Sequence, residues 1–182
     1  MMTNGLHPND SGHRRERGGD KMLTSFKVLL GFLVVALLFS CSSVDCPLNN
    51  IVYANYKLEG PVQSLPDTLT ISAQRQDGTD TILLNKSVPT DSFSLPVSYG
   101  QPVDVLFFET KSTMTTLHDT VWVEKTNFPH FESTDCGVNY FHVINNVRFT
   151  RHALDSIVIN NNSVTYDVTP KHFYVYFKEY RL

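Results

Sequence analysis

From Ile51 onward, apolar residues fall at every second position in one short run after another, and turn-forming residues separate the runs. A spacing of two belongs to half-buried strands, because successive side chains of an extended chain point to opposite faces. In residues 68–75, Leu69, Ile71 and Ala73 alternate with Thr70, Ser72 and Gln74; in 92–98, Phe93, Leu95 and Val97 share a face. Residues 172–178 alternate Phe173, Val175 and Phe177 with Tyr174 and Tyr176. No run of more than ten residues shows helical spacing. Further strands are expected at 51–58, 81–84, 103–109, 120–124, 139–149, 156–160 and 164–168. The run 103–109 is apolar on both faces, as a central strand requires, and 139–149 places Phe141, Val143, Val147 and Phe149 on one face. Gln76-Asp77-Gly78-Thr79 predicts a hairpin, since Gly78 takes positive φ without steric cost, and Asn161-Asn162-Ser163 predicts a second. The chain therefore reads as all-β, an antiparallel β-sandwich of roughly nine or ten short strands, with a β-barrel as the alternative.

The strands are preceded by a segment of a different kind. Residues 28–39 are apolar apart from Gly31, Lys27 stands before them, and Ser40-Cys41 follows. That order is the one of a secretory signal, and the run is short of the roughly 20 residues that cross a bilayer. Leu38-Phe39-Ser40-Cys41 resembles the bacterial lipobox, which implies a lipidated Cys41 as the first mature residue. Ser42 stands where an aspartate signals inner-membrane retention, so the resemblance implies the outer membrane. The expected organisation is a disordered extension over 1–21, with a translation start at Met22; a lipoprotein signal peptide over 22–40; a tether over 41–45; and one β-sandwich domain over 46–182.

The 142 residues from Cys41 onward retain 10 Lys and Arg against 15 Asp and Glu, a net charge of −5 with His neutral. No basic stripe exists to neutralise phosphates, so no nucleic-acid partner is expected. With Cys41 committed to lipid, Cys46 and Cys136 form an even pair in an oxidising envelope and are the candidate disulfide.

Catalytic signatures are missing: the sequence has no G-x-S-x-G, H-E-x-x-H, P-loop or G-x-G-x-x-G pattern. The best polar cluster is His130, Glu132, Asp135 and His142. His130 and Glu132 share a face at period two, and a hairpin through Gly137 would bring His142 opposite them, a candidate metal site of two imidazoles and a carboxylate. His118-Asp119 is expected in a turn between two strands. Tyr140, Tyr174 and Tyr176 are a candidate aromatic platform of the kind that stacks on sugars.

At Cys46-Pro47-Leu48-Asn49-Asn50, at Thr134-Asp135-Cys136-Gly137 and from Ser156-Ile157-Val158-Ile159 through Phe173-Tyr174-Val175-Tyr176-Phe177, the chain resembles small uncharacterised lipoproteins of Bacteroidota, grouped as a domain of unknown function. The resemblance implies an envelope location and no particular activity. Surface-exposed lipoproteins of that kind carry several acidic residues after the lipidated cysteine, and here only Asp45 stands nearby, which implies the periplasmic face. The expectation is a membrane-anchored, non-enzymatic binding or assembly module with an envelope protein or glycan as partner and no cofactor. The alternative is a metal-dependent hydrolase using His130, Glu132 and His142.

Overall fold

The computed structural model describes residues 25, 27–31, 46 and 51–179, and the chain divides into two units, 1–44 and 45–182. In the first unit, Ser25 and residues 27–31 are helical and exposed. Among the described residues no helix is long and apolar enough to cross a membrane. Cys41, the tether and most of the expected signal peptide lie outside the described residues.

The second unit is a sandwich of two sheets. Ten strands follow the chain: β1 (Tyr53–Leu58), β2 (Thr68–Gln74), β3 (Asp80–Ser87), β4 (Ser92–Pro96), β5 (Val103–Lys111), β6 (Thr116–His130), β7 (Asn139–Phe149), β8 (Leu154–Ile159), β9 (Ser163–Val164) and β10 (Phe173–Phe177). They form a four-stranded sheet in the order β4-β1-β10-β8 and a six-stranded sheet in the order β3-β2-β5-β6-β7-β9. All pairings are antiparallel except β1 with β10.

Aromatic rings at matching register bind the four-stranded sheet. Tyr56 of β1 lies opposite Phe93 of β4 and Phe173 of β10, and its ring stacks on both, at 4.9 and 4.6 Å. Phe93 then meets Phe108 of β5 edge-on at 6.1 Å, which carries the core across to the other sheet. Such pairs add roughly 0.5–1.5 kcal/mol each beyond their buried area. Leu69, Ile71, Leu106, Val121 and Ile144 complete the floor from the six-stranded side.

The β2–β3 hairpin forms where the sequence predicts it, with Gly78 at φ +81°. Other expectations are corrected. No hairpin joins β8 to β9: β8 pairs with β10, whereas the two-residue β9 pairs with β7 in the other sheet. Asn161-Asn162-Ser163 is therefore a crossing between sheets, in which the Ile144 amide donates to the Asn162 carbonyl and the Asn161 side chain accepts from the Ser163 amide. His118 and Asp119 lie inside β6, not in a turn. Within β7 a register shift opposite Glu124/Lys125 leaves Asn145 unmatched in the backbone register, while its side-chain amide donates to Thr126 of β6 at 2.9 Å. Such a bulge reverses which residues face the core. Upstream of the bulge it is His142 and Ile144 that are buried; Phe141 and Val143 alternate with them, and Phe141, like Val147 and Phe149 downstream, is partly buried and packs against the core.

Candidate binding cleft

The two sheets share no strand, and their edges β3 and β4 run near each other without pairing. Along this seam lies a cleft of about 680 Å³. Leu83 of β3, Val105 and Leu106 of β5, Pro96 of β4 and Ile51 give it apolar walls, and Arg75 and Gln76 from the β2–β3 turn stand at the rim. Residues 97–101, the link from β4 to β5, form the opposite wall. The Gln76 side-chain amide donates to the Gly100 carbonyl at 2.6 Å, a contact that a Cβ on Gly100 would displace by moving the end of the Gln76 side chain.

A buried polar network holds this wall in place. Lys125 continues the inward alternation of Val121 and Val123 along β6, so its ammonium ends in the interior with no side-chain exposure. It donates to Asp104 Oδ1 at 2.7 Å and to the Gln101 carbonyl at 2.9 Å. Asp104 lines the cleft and also accepts from the Ser98 amide. Burial raises the Asp104 carboxyl and lowers the Lys125 ammonium, and the partner's charge offsets part of each shift. Asn127 donates to the carbonyls of Tyr99 and Gln101, which leaves its Oδ1 to accept from His142 Nδ1 at 2.7 Å. His142 is thus neutral and protonated at Nδ1, and burial followed by the nearby Lys125 charge lowers its pKa to about 4. Tyr99 stacks on Tyr140 at 5.0 Å, closing the wall against β7.

The cluster expected to bind metal is not brought together. His130 and Glu132 do meet, at 3.0 Å, but His130 pairs with Asn139, so His142 pairs with Asn127, three residues from His130. An odd offset along a strand reverses the face. His130 stacks on Phe141 at 4.1 Å on one side, while His142 enters the polar network on the other. Among the described residues no group of three His, Cys, Asp or Glu side chains is placed to hold a metal ion.

The tyrosines expected to form one platform also separate. Tyr140 belongs to the six-stranded sheet, whereas Tyr174 and Tyr176 lie on β10 of the other, on the face away from the core. Tyr176 covers Gly60, whose φ is +83° and where an added Cβ would lie 2.8 Å from the ring. The Cys46–Cys136 disulfide is present, with Cα atoms 5.5 Å apart, and ties the start of the second unit to the β6–β7 turn.

Sequence reading missed Asp104, Lys125 and Asn127. Their signal is a charged or amide side chain at an inward strand position, visible once Val121 and Val123 are assigned to the core face.

The second unit is thus an all-β, two-sheet sandwich, crosslinked through Cys46 and Cys136, with a cleft where the two sheet edges fail to pair. Residues 68–177 match a family of unknown function (DUF6452), and the chain belongs to that family. No curated protein and no solved structure matches the chain.

Proposed function

We propose that this protein is a lipoprotein of the bacterial envelope, of the Bacteroidota type, anchored through Cys41 on the periplasmic face of the outer membrane, and that it is a binding module rather than an enzyme. Its ligand is an extended polypeptide segment of an envelope protein, taken up along the seam. The observation that carries this reading is the position of the cleft beside two strand edges, β3 and β4, that pair on one side only among the described residues. An open edge offers unused backbone donors and acceptors, and an extended peptide adds to it as one more strand, with pockets for alternate side chains supplying specificity. The ends of β3 are guarded by Asp80 and by Lys86, which has φ +49° and is followed by Pro89. Its centre, Thr81 to Leu84, carries no charge and faces the cleft through Thr81 and Leu83. A glycan is the competing ligand class, with Tyr99, Gln76 and Asp77 of the lining as its contacts; the apolar walls of Ile51, Leu83, Val105 and Leu106 beside a strand edge favour the peptide.

The test is a photo-reactive benzophenone side chain at Thr81, in the cleft, compared with one at Met114, 96% exposed at the β5–β6 turn. In intact cells we expect a discrete protein adduct from the first position only, abolished by Leu83→Lys in the same chain. Adducts of equal yield from both positions, or a Thr81 adduct that survives Leu83→Lys, would overturn the reading.

A further inference from the structure

The outer end of the β6–β7 hairpin has no place in the cleft, yet it carries large exposed apolar side chains. Phe131 is 64% exposed, Phe128 48% and Val138 38%. All three lie within eleven residues of chain at one end of the sandwich, around the turn in which the Cys136 amide donates to the Ser133 carbonyl. The disulfide fixes this turn to Cys46. Only Ser42-Ser43-Val44-Asp45 stand between Cys41 and Cys46, a span of at most about 14 Å for these four residues even fully extended.

We propose that the β6–β7 tip is a second membrane contact, seating Phe128, Phe131 and Val138 in the interfacial layer of a zwitterionic lipid surface. This rests on the reading of Cys41 as the lipid anchor. A crosslink to Cys46 holds the tip within a short tether's reach of that anchor, whatever path the tether takes. Aromatic and aliphatic side chains partition into the boundary between headgroups and acyl chains, and a covalent anchor removes most of the entropic cost of the second contact. The charge pattern selects the lipid. No Lys or Arg occurs between Lys125 and Arg148, and the tip carries Glu132 and Asp135, with His130 paired to Glu132. Such an end is repelled by an anionic surface and fits a zwitterionic one. The contact would fix the sandwich's orientation, with the β5–β6 turn at the far end of β6 pointing away from the bilayer.

The experiment uses the mature lipoprotein recovered from membranes, with Cys41 acylation read by intact mass. In a Trp122→Phe background, Phe131→Trp places a reporter at the tip and Met114→Trp places one at the far end. Each is reconstituted in phosphatidylethanolamine–phosphatidylcholine vesicles with and without brominated acyl chains. We expect brominated lipid to quench the Phe131→Trp emission by about twofold, to leave Met114→Trp unchanged, and to act less when phosphatidylglycerol is added. An unquenched tip on an acylated chain overturns this contact and leaves the anchor standing; an unacylated Cys41 overturns both. Quenching equal at the two positions, or a tip emission that follows protein concentration and ignores lipid, as a second copy of the chain would produce, also overturns it.

Discussion

Asp119 shows how much one side chain can organise. Its carboxylate is buried in β6 and accepts from the amides of His152 at 2.7 Å, Ala153 at 2.7 Å and Leu154 at 3.0 Å, and from the Thr150 hydroxyl at 2.7 Å. Burial opposes the charge, but the amides of His152 and Leu154, the Thr150 hydroxyl and the Ala153 amide outweigh it, and the pKa falls below its ordinary value. The group therefore pins the link from β7 to β8 onto β6. Asp119→Asn turns a donor toward amides that have no other partner there, and we expect a loss of about 2–4 kcal/mol, read from the urea midpoint. A loss under half that would show the link to be held by other contacts. Two buried histidines set the acid limit. The Asn55 amide donates to His172 Nδ1, so its proton sits on Nε2 toward the Ser163 carbonyl, and burial lowers its pKa as it does that of His142. Both fold as neutral rings, so the unfolded chain binds more protons. Stability is fully present above the ordinary histidine value of about 6.5 and is lost as pH falls toward about 4, by roughly 3 kcal/mol for His142 alone. His142→Gln, which can still donate to Asn127, should flatten the fall in melting temperature between those two pH values; an unchanged profile would remove His142 from the account. At this scale the sequence was half legible. Asp119 stood out beside His118, but its partners lie some thirty residues on and depend on register, which composition does not carry.

Strands were the most legible elements, because a period of two is written directly in runs such as 68–75 and 172–178. What escaped was wherever the period breaks. Asn145 hides the change of face in β7, so Phe141 and Val147 read as one stripe although the bulge divides them. β9 has two residues and no pattern to show, and its pairing with β7 is set by the crossing at Asn162. The expected metal site failed for a different reason, the hairpin register: with no bulge between them, His130 pairs with Asn139 and His142 with Asn127, an odd offset that puts the two rings on opposite faces. The β6–β7 hairpin projects past β5, whose pairing with β6 ends at Glu124, and the disulfide ties its turn to the chain 90 residues earlier. Closing a loop of that length restricts the unfolded chain by about 4–5 kcal/mol in the chain-entropy treatment. The paired Cys46→Ser and Cys136→Ser variant should lose a large part of this in guanidinium unfolding while keeping its strand signal in circular dichroism. A variant as stable as the parent would mean that the ladder and side-chain contacts such as Asn127 to Gln101 and Tyr140 against Tyr99 hold the hairpin without the crosslink.

Across the whole sandwich, the decisive strand is one that the family match does not reach. The match begins at β2 and ends with the last residue of β10, yet β1 lies between β4 and β10 in the four-stranded sheet. β1 supplies Tyr56, the middle ring of the stack, and Asn55, whose side chain donates to the carbonyls of Val168 and Pro170 while accepting from Ser94. Its backbone also exchanges hydrogen bonds with His172, and through His172 reaches Ser163 of β9 in the other sheet. A chain limited to residues 68–177 would leave β4 and β10 without the strand that joins them, and would expose Phe93 and Phe173. We expect that fragment to lack a cooperative thermal transition and to bind a hydrophobic dye, whereas a chain beginning at Cys46 should melt in one step. A cooperative 68–177 fragment would show that the six-stranded sheet folds without its partner. The seam would then be a boundary between independently stable halves, and the cleft a consequence of how they dock. If β1 is required, the cleft belongs to a single cooperative unit, and a peptide added along β3 must raise the stability of the whole sandwich in proportion to its affinity.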